Sequence, residues 1–159
     1  MINWNKLKQS IEGSKRIVLS THMNPDGDGL GSAVAMYHYI SSLDIDCKII
    51  QISKFPDQYK FLNENNIIET YDMSEHDSWL DSADLAIIFD IGAYNRLGQL
   101  GDTLTANKTK AINIDHHPNL NDERFYENYI NIEAAATGEM VYDFLEENHI
   151  NMNIAIARG

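Results

Sequence analysis

The sequence predicts one α/β domain whose mainly parallel β-sheet carries helices on both faces. Short, continuous apolar runs of strand length alternate along the chain with segments whose apolar residues recur at helical spacing. Continuous apolar strands are typical of parallel sheets that helices cover on both sides. With 159 residues, of which 43% are hydrophobic, the chain has the size of one domain with a buried core.

The first half of the chain contributes two helices and two strands to this prediction. A short amphipathic helix is expected over residues 4–11, between the start signal Asn3 and the stop signal Gly13. RIVLS (16–20) is the first strand, residues 29–42 are the next helix, and CKIIQ (47–51) is the second strand. The apolar residues at helical spacing are Trp4, Leu7 and Ile11 in the first helix and Ala33, Met36, Tyr37 and Ile40 in the second.

The second half follows the same alternation after a less regular, mostly polar segment over residues 55–84. Within that segment we expect only a short helix around Tyr59–Leu62. Strands are expected at LAIIF (85–89), KAINI (110–114) and YINI (129–132), followed by a helix at about residues 137–148. The last residues, NMNIAIARG, resemble a helix that stops abruptly at Gly159, so we expect a piece of a longer chain.

The net charge and the cysteine content limit which binding partners and which cellular compartment are expected. Twelve basic against 24 acidic residues give a formal net charge of −12, with no run of Lys or Arg, which argues against a long duplex nucleic acid as partner. Cys47 is the single cysteine, which excludes an internal disulfide and a thiolate metal cluster and fits a reducing compartment. No stretch approaches the roughly 20 apolar residues of a membrane span, so we predict a cytoplasmic protein without a membrane partner.

Three predicted strands end in the same kind of polar chemistry. RIVLS leads into His22, Asp26 and Asp28, LAIIF leads into Asp90, and KAINI leads into Asp115, His116 and His117. Because the carboxyl ends of parallel strands share one edge of a sheet, these side chains are expected to converge. Taken alone, Asp26 and Asp28 would fit an Asp-Gly turn and Asp90 would fit a helix N-cap, but their convergence favours a metal site.

Divalent cations would offset the repulsion between so many carboxylates at one edge. The ligands offer oxygen and imidazole nitrogen without sulfur, which suits manganese, magnesium, iron or cobalt better than structural zinc, with manganese as the first choice. Two aspartates on one glycine-rich turn can each ligate a different ion. Gly27, Gly29 and Gly31 also let the backbone approach an anion, and the N-terminus of the next helix, with Ser32 in its first turn, favours phosphate.

HMNPDGDGLGS (22–32) and DHHP (115–118), with a strand-ending aspartate between them, resemble the DHH phosphoesterase superfamily from the first strand to AAATGEMVY (134–142). That superfamily includes RecJ-type nucleases, manganese-dependent inorganic pyrophosphatases, cyclic-dinucleotide phosphodiesterases, and a group of nano-RNases and 3′-phosphoadenosine 5′-phosphate phosphatases. NPDGDGLGS and FDIGAYNRLG (89–98) are most similar to the last group, although Ile91 and Ala93 depart from its usual Asp-Thr beginning. The resemblance implies a manganese-dependent phosphohydrolase of very short RNA, linear dinucleotides or 3′,5′-bisphosphate nucleotides.

By matched position, the resemblance distributes five ligands over two manganese ions, for which magnesium or cobalt could substitute. His22, Asp26 and Asp90 are assigned to one ion, and Asp28, Asp90 and His116 to the other. Asp115 is expected to orient a histidine ligand, and His117 to contact substrate phosphate or assist the leaving oxygen. Arg96, Ser32 and Gly31 are the predicted substrate contacts, with a surface ion pair as the alternative for Arg96.

The resemblance also implies parts that would follow residue 159. These are a fourth metal motif and a C-terminal DHH-associated domain that closes over the substrate, so we expect weakened metal binding and little turnover from residues 1–159 alone. Two other functions stay open: an inorganic pyrophosphatase, and a metal-dependent nucleotide-binding module without turnover. Homodimers are common among relatives. AAATGE fits either a helix start capped by Thr137 or a helix N-terminus that faces the site.

Overall fold

The computed structural model describes residues 2–118 and 122–159. Its helices are α1 (Trp4–Glu12), α2 (Gly27–Ser41), α3 (Met73–Leu80), α4 (Gly98–Ala106), α5 (Thr137–Glu147) and α6 (Ile154–Ala157). Its strands are β1 (Arg16–Thr21), β2 (Asp46–Gln51), β3 (Ile68–Thr70), β4 (Leu85–Phe89), β5 (Lys110–Asp115) and β6 (Glu127–Ile130). Two 3-10 helices, Asp57–Asn63 and Tyr94–Leu97, lie in the connections that follow β2 and β4.

The strands form one sheet in the order β3-β2-β1-β4-β5-β6, and every neighbouring pair is parallel. Alternate strand residues point to two separate hydrophobic clusters. One cluster contains Leu19 and Ile87 with α1, α2 and α5, and the other contains Val18 and Ile88 with α3 and α4. Helices therefore cover both faces, and the predicted fold class is confirmed.

The polar segment between residues 55 and 84 holds more structure than the sequence predicts. β3 has only three residues and lies at the sheet edge, and α3 buries only His76 and Leu80. Neither element is long or apolar enough to leave a clear periodic pattern. The helix expected around Tyr59–Leu62 is a 3-10 helix that buries Leu62 and leaves Phe61 58% exposed.

One helix and the boundaries of two other elements differ from the prediction. The sequence-based prediction lacks α4, whose sequence GQLGDTLTA contains two glycines and two threonines, residues of low helix propensity. β6 begins and ends two residues earlier than YINI, because Tyr129 pairs with Ile114 of β5 while Ile132 is 62% exposed. α2 begins at Gly27 instead of Gly29, because the Asp26 side chain accepts hydrogen bonds from the N–H groups of Asp28 and Gly29.

The sheet order places a crevice between β1 and β4. From β1 the chain continues outward to β2 and β3, and from β4 it continues outward in the other direction to β5 and β6. At such a point the connections diverge and leave room at the carboxyl ends of the strands, where open α/β sheets bind ligands. His22 follows β1 directly and Asp90 follows β4 directly. No helix in the described residues is both long and apolar enough to cross a membrane.

Candidate metal centre

Asp90 lies at the centre of the polar cluster in this crevice. Its side chain is only 3% exposed, and its backbone has φ +55°, a left-handed conformation at the abrupt end of β4. Its two carboxylate oxygens face different histidines. Oδ2 lies 3.8 Å from His22 Nε2, and Oδ1 lies 3.6 Å from His116 Nε2. The helix that follows is capped at Ala93, so the N-cap interpretation of Asp90 is wrong.

The first half-site consists of His22, Asp26 and Asp90, whose candidate ligand atoms lie within 4.8 Å of one another. His22 Nδ1 lies 2.7 Å from the carbonyl oxygen of Met23, so Nδ1 carries the proton and Nε2 presents its lone pair to the crevice. The two carboxylate oxygens of Asp26 have different contacts. Oδ1 caps α2, while Oδ2 lies 3.7 Å from His22 Nε2.

The second predicted half-site combines Asp28, Asp90 and His116, whereas the structure brings the candidate ligand atoms of Asp90, His116 and His117 within 4.8 Å of one another. His116 Nε2 lies 3.7 Å from Asp28 Oδ2, and its Nδ1 lies 3.3 Å from the carbonyl oxygen of Ala134. This contact again directs the proton to Nδ1 and the Nε2 lone pair to the carboxylates. Asp28 accepts hydrogen bonds from the backbone N–H groups of Thr137 (2.9 Å) and Gly138 (2.8 Å) at the start of α5.

The start of α5 therefore faces the site, as one of the two interpretations of AAATGE predicts. The other interpretation is wrong, because Ala136 is the N-cap residue and no side chain caps this helix. Thr137 is the first helical residue, and its hydroxyl lies 3.5 Å from Asp90 Oδ1. Free N–H groups at a helix start carry partial positive charge, so α5 stabilises the carboxylate of Asp28 and fixes its orientation.

Asp115 is fully buried and orients the loop and the histidine next to the site. Its Oδ1 accepts from the Nδ1 (2.8 Å) and the backbone N–H (3.0 Å) of His117, and its Oδ2 accepts from the N–H of Gly92 (2.6 Å). The histidine that Asp115 orients is therefore His117, whereas His116 is oriented by a backbone carbonyl. His117 Nδ1 also lies 3.3 Å from Asp90 Oδ1, so Nε2 of this half-exposed ring is the nitrogen left for contacts outside the cluster.

The donor set fits divalent cations. The separations of 3.6–3.8 Å between imidazole nitrogen and carboxylate oxygen are too long for hydrogen bonds. Ligand atoms that each lie about 2.1 Å from one ion are about 3–4 Å apart, so these separations suit a shared cation. Burial, together with the nearby charges of Asp28 and Asp26, raises the pKa of Asp90 to about 6. A cation would remove this penalty on the ionised carboxylate.

The raised pKa of Asp90 leads to a prediction for the metal-free protein. Between the ordinary value of 3.8 and about 6, the folded state retains a proton that the unfolded state releases, so this group destabilises the fold as the pH rises. In a chelator, we expect Asp90→Asn to match the wild type near pH 4 and to exceed its unfolding free energy by about 3 kcal/mol above pH 7. Denaturant titrations of both proteins across this range measure the difference, and a difference independent of pH would contradict the assignment.

The three predicted substrate contacts lie in different surroundings. Arg96 Nη1 donates to the carbonyl oxygen of Ile91 at 2.9 Å, and no ion pair of Arg96 occurs within the described residues. Ser32 is buried, and its hydroxyl lacks a hydrogen-bond partner among the described residues. Gly31 packs against the backbone of Gly159, so closely that a Cβ atom would lie 2.4 Å from the Gly159 carbonyl oxygen. The close approach of Gly31 is thus to the residue two positions beyond the end of α6.

Comparisons with known proteins agree with this geometry. The model of the DHH family, N-terminal domain, matches residues 16–158. The chain is 29% identical over 135 residues to the bifunctional oligoribonuclease and PAP phosphatase NrnA of Mycoplasma genitalium, covering 84% of this chain and 40% of that protein. It is 26% identical to the probable bifunctional oligoribonuclease and PAP phosphatase NrnA of Streptococcus mutans, covering 99% of this chain and 47% of that protein.

A solved structure shows the same fold at nearly full coverage of this chain. The exopolyphosphatase-related protein of Bacteroides fragilis superposes with a TM-score of 0.87 and 26% identity, covering 98% of this chain and 48% of that one. The chain thus spans about half the length, or less, of these three proteins.

Proposed function

Because this chain belongs to the DHH family, we propose that it is a divalent-metal-dependent phosphohydrolase that acts on small nucleotides. The observation that carries this proposal is the position of Asp90, whose two oxygens face two separate sets of histidine and aspartate ligands. One buried carboxylate placed between two such sets is the arrangement that a pair of neighbouring cations requires. We propose manganese as the metal, since the ligands combine carboxylate and imidazole without sulfur.

In this proposal, His22, Asp26 and Asp90 hold one ion, and Asp28, Asp90 and His116 hold the other. When bound, two divalent cations activate a water molecule and neutralise charge that develops on the phosphoryl group. Contacts within the chain position these ligands. Backbone carbonyls fix the tautomers of both histidines, and the N–H groups of α5 hold Asp28.

His117 acts on the substrate in this scheme. Asp115 binds its Nδ1 and thereby leaves Nε2 directed away from the buried carboxylate, where it can donate to a phosphate oxygen or to the leaving oxygen. The role of Arg96 as a second phosphate ligand stays a prediction, as do substrate contacts of Ser32 and Gly31. Arg96 has guanidinium N–H groups beyond the one that binds Ile91, and these can serve a phosphate.

The proposed substrates are very short RNA, linear dinucleotides or 3′,5′-bisphosphate nucleotides. The two curated relatives carry names that state oligoribonuclease and PAP phosphatase activity. A net charge of −12 favours substrates with few phosphates over long duplexes. A closing C-terminal domain, a fourth metal motif, a homodimer and a cytoplasmic location stay predictions for the whole protein.

The experiment that tests this function uses the longer protein that is expected to contain residues 1–159, and compares three substrates, namely 3′-phosphoadenosine 5′-phosphate, a two-nucleotide RNA and pyrophosphate, with manganese and with a chelator. We expect manganese-dependent hydrolysis of at least one nucleotide, which Asp90→Asn abolishes and Asp81→Asn, at an exposed aspartate outside the crevice, retains. Hydrolysis of pyrophosphate alone would make the protein a pyrophosphatase. Nucleotide binding with no hydrolysis of any substrate would identify a binding module.

A further inference from the structure

In addition to the crevice between β1 and β4, the structure has a cavity between the loop that follows β1 and the loop that follows β2. It has a volume of about 330 Å³, and its lining residues are Asn24, Pro25, Lys54, Phe55, Pro56 and Asp57. We propose that this β1–β2 cavity binds the base of a nucleotide, with the base stacked on Phe55 and the nucleotide phosphate near Lys54. This inference rests on the proposed function, since it names the residues that would distinguish a nucleotide from other phosphate compounds.

The cavity is next to the first half-site by chain connectivity. Asn24 and Pro25 directly precede Asp26, whose Oδ2 faces His22. The backbone N–H of Asn24 donates to the hydroxyl of Ser53 at 2.9 Å, which joins the two loops that form the cavity walls. A nucleotide that places its base in this cavity would therefore contact Pro25, the residue directly before the proposed ligand Asp26.

The walls offer the planar apolar surfaces that a heteroaromatic base requires. Pro25 is buried, whereas Phe55 and Pro56 are partly buried. Phe55 packs against the main hydrophobic cluster and also lines the cavity, so part of its ring is held by the core while part faces the open space. A supported aromatic ring loses little conformational freedom on binding, and stacking on such a ring tolerates any base because each has a π-face.

The rim supplies polar groups for the rest of a nucleotide. Lys54 is exposed and forms no ion pair within the part of the chain that the structure describes. Asp57 is exposed and pairs with Lys60 at 3.1 Å, and the positive charges of Lys60 and, to a smaller extent, Lys54 lower its pKa. In a chain of net charge −12, an unpaired ammonium group at the acidic edge of the sheet is suited to a phosphate. The amide of Asn24 and the carboxylate of Asp57 can bind the edge of a base.

The test measures equilibrium binding of adenosine 5′-monophosphate and of ribose 5-phosphate, which has the same sugar phosphate without a base. Calorimetry in manganese gives affinities, and saturation-transfer NMR in a chelator reports contact of the adenine protons without the metal. We expect adenosine 5′-monophosphate to bind more tightly than ribose 5-phosphate. Phe55→Ala should weaken the nucleotide about tenfold, within the range for loss of one stacked base, and should leave ribose 5-phosphate unchanged.

Phe61 provides a matched control in the same connection. It is 58% exposed and does not line the β1–β2 cavity, so Phe61→Ala should bind both compounds as the wild type does. Phe55→Leu keeps an apolar side chain for the core but lacks a planar ring, and it should also weaken nucleotide binding if the Ala variant folds poorly. Equal affinities for the two compounds, or Phe55 variants that bind the nucleotide normally, would overturn the inference even where hydrolysis is intact. Loss of hydrolysis with intact base-dependent binding would instead overturn the proposed function.

Discussion

Asp90→Asn should abolish both the metal-dependent stabilisation of the protein and its hydrolytic activity. The substitution keeps the size of the side chain but replaces one of the two oxygens by an NH2 group that cannot ligate a cation, and it leaves the other oxygen without negative charge. Since the two oxygens face different half-sites, one ion loses its Asp90 ligand and the other keeps only a neutral, weaker one. We expect activity to fall by at least about a thousandfold, as for the loss of a central charged group at a reacting phosphate. Hydrolysis rates and the manganese-induced shift in Tm measure the two effects.

Asp26→Asn is the informative comparison for this prediction. Asp26 faces only His22, and its loss should weaken one half-site while the half-site of Asp28 and His116 remains. Calorimetry should therefore find one strong manganese site in Asp26→Asn and none in Asp90→Asn. Two undiminished sites in Asp90→Asn would show that this carboxylate does not bridge.

Gly29→Ala should strongly destabilise the protein. The backbone of α2 approaches β1 so closely at Gly29 that a Cβ atom would lie 2.1 Å from Thr21 Oγ1 and 2.8 Å from Thr21 Cβ. Thr21 cannot move freely, because its hydroxyl donates to the carbonyl oxygen of Phe89 at 2.7 Å. We expect a loss of about 3 kcal/mol in the free energy of unfolding, and a Tm lower by about 10 °C, from overpacking in the core.

Gly138→Ala provides the control for Gly29→Ala, since it adds the same methyl group near the start of a helix. There the new Cβ would lie no closer than 3.4 Å to its nearest neighbour, Asp28 Oδ1, which is ordinary van der Waals contact. Alanine also has a better helix propensity than glycine, so the variant should equal the wild type or gain up to about 1 kcal/mol. Thermal unfolding of both variants in a chelator checks the contrast. Equal stability of the two variants would mean that α2 and β1 are not so tightly packed.

The sequence permits prediction that these polar side chains lie close together, because they follow strands directly. His22, Asp90 and His116 each come within one residue of a strand end, and parallel strands bring those ends together without any knowledge of side-chain contacts. The fold class follows from the same strands, whose apolar runs are continuous. Edge elements such as β3 and α3 bury too few residues to leave a pattern.

Contacts between distant residues could not be predicted from the sequence. Asp28 is held by N–H groups of Thr137 and Gly138, more than 100 residues further along the chain, and a backbone donor has no signature in residue type. The packing of the glycine-rich turn could not be predicted from the sequence either. Gly31 suggests an anion site by its sequence context, whereas its lack of a side chain lets α2 pack against Gly159.

If Asp90 lies between two cations, anomalous X-ray scattering from crystals grown with manganese will show both ions and their distances to this carboxylate. We predict two anomalous peaks, one beside His22 and Asp26 and one beside Asp28 and His116, with an oxygen of Asp90 next to each. A single peak that Asp90 does not contact, or no peak in this crevice at saturating manganese, would contradict the account.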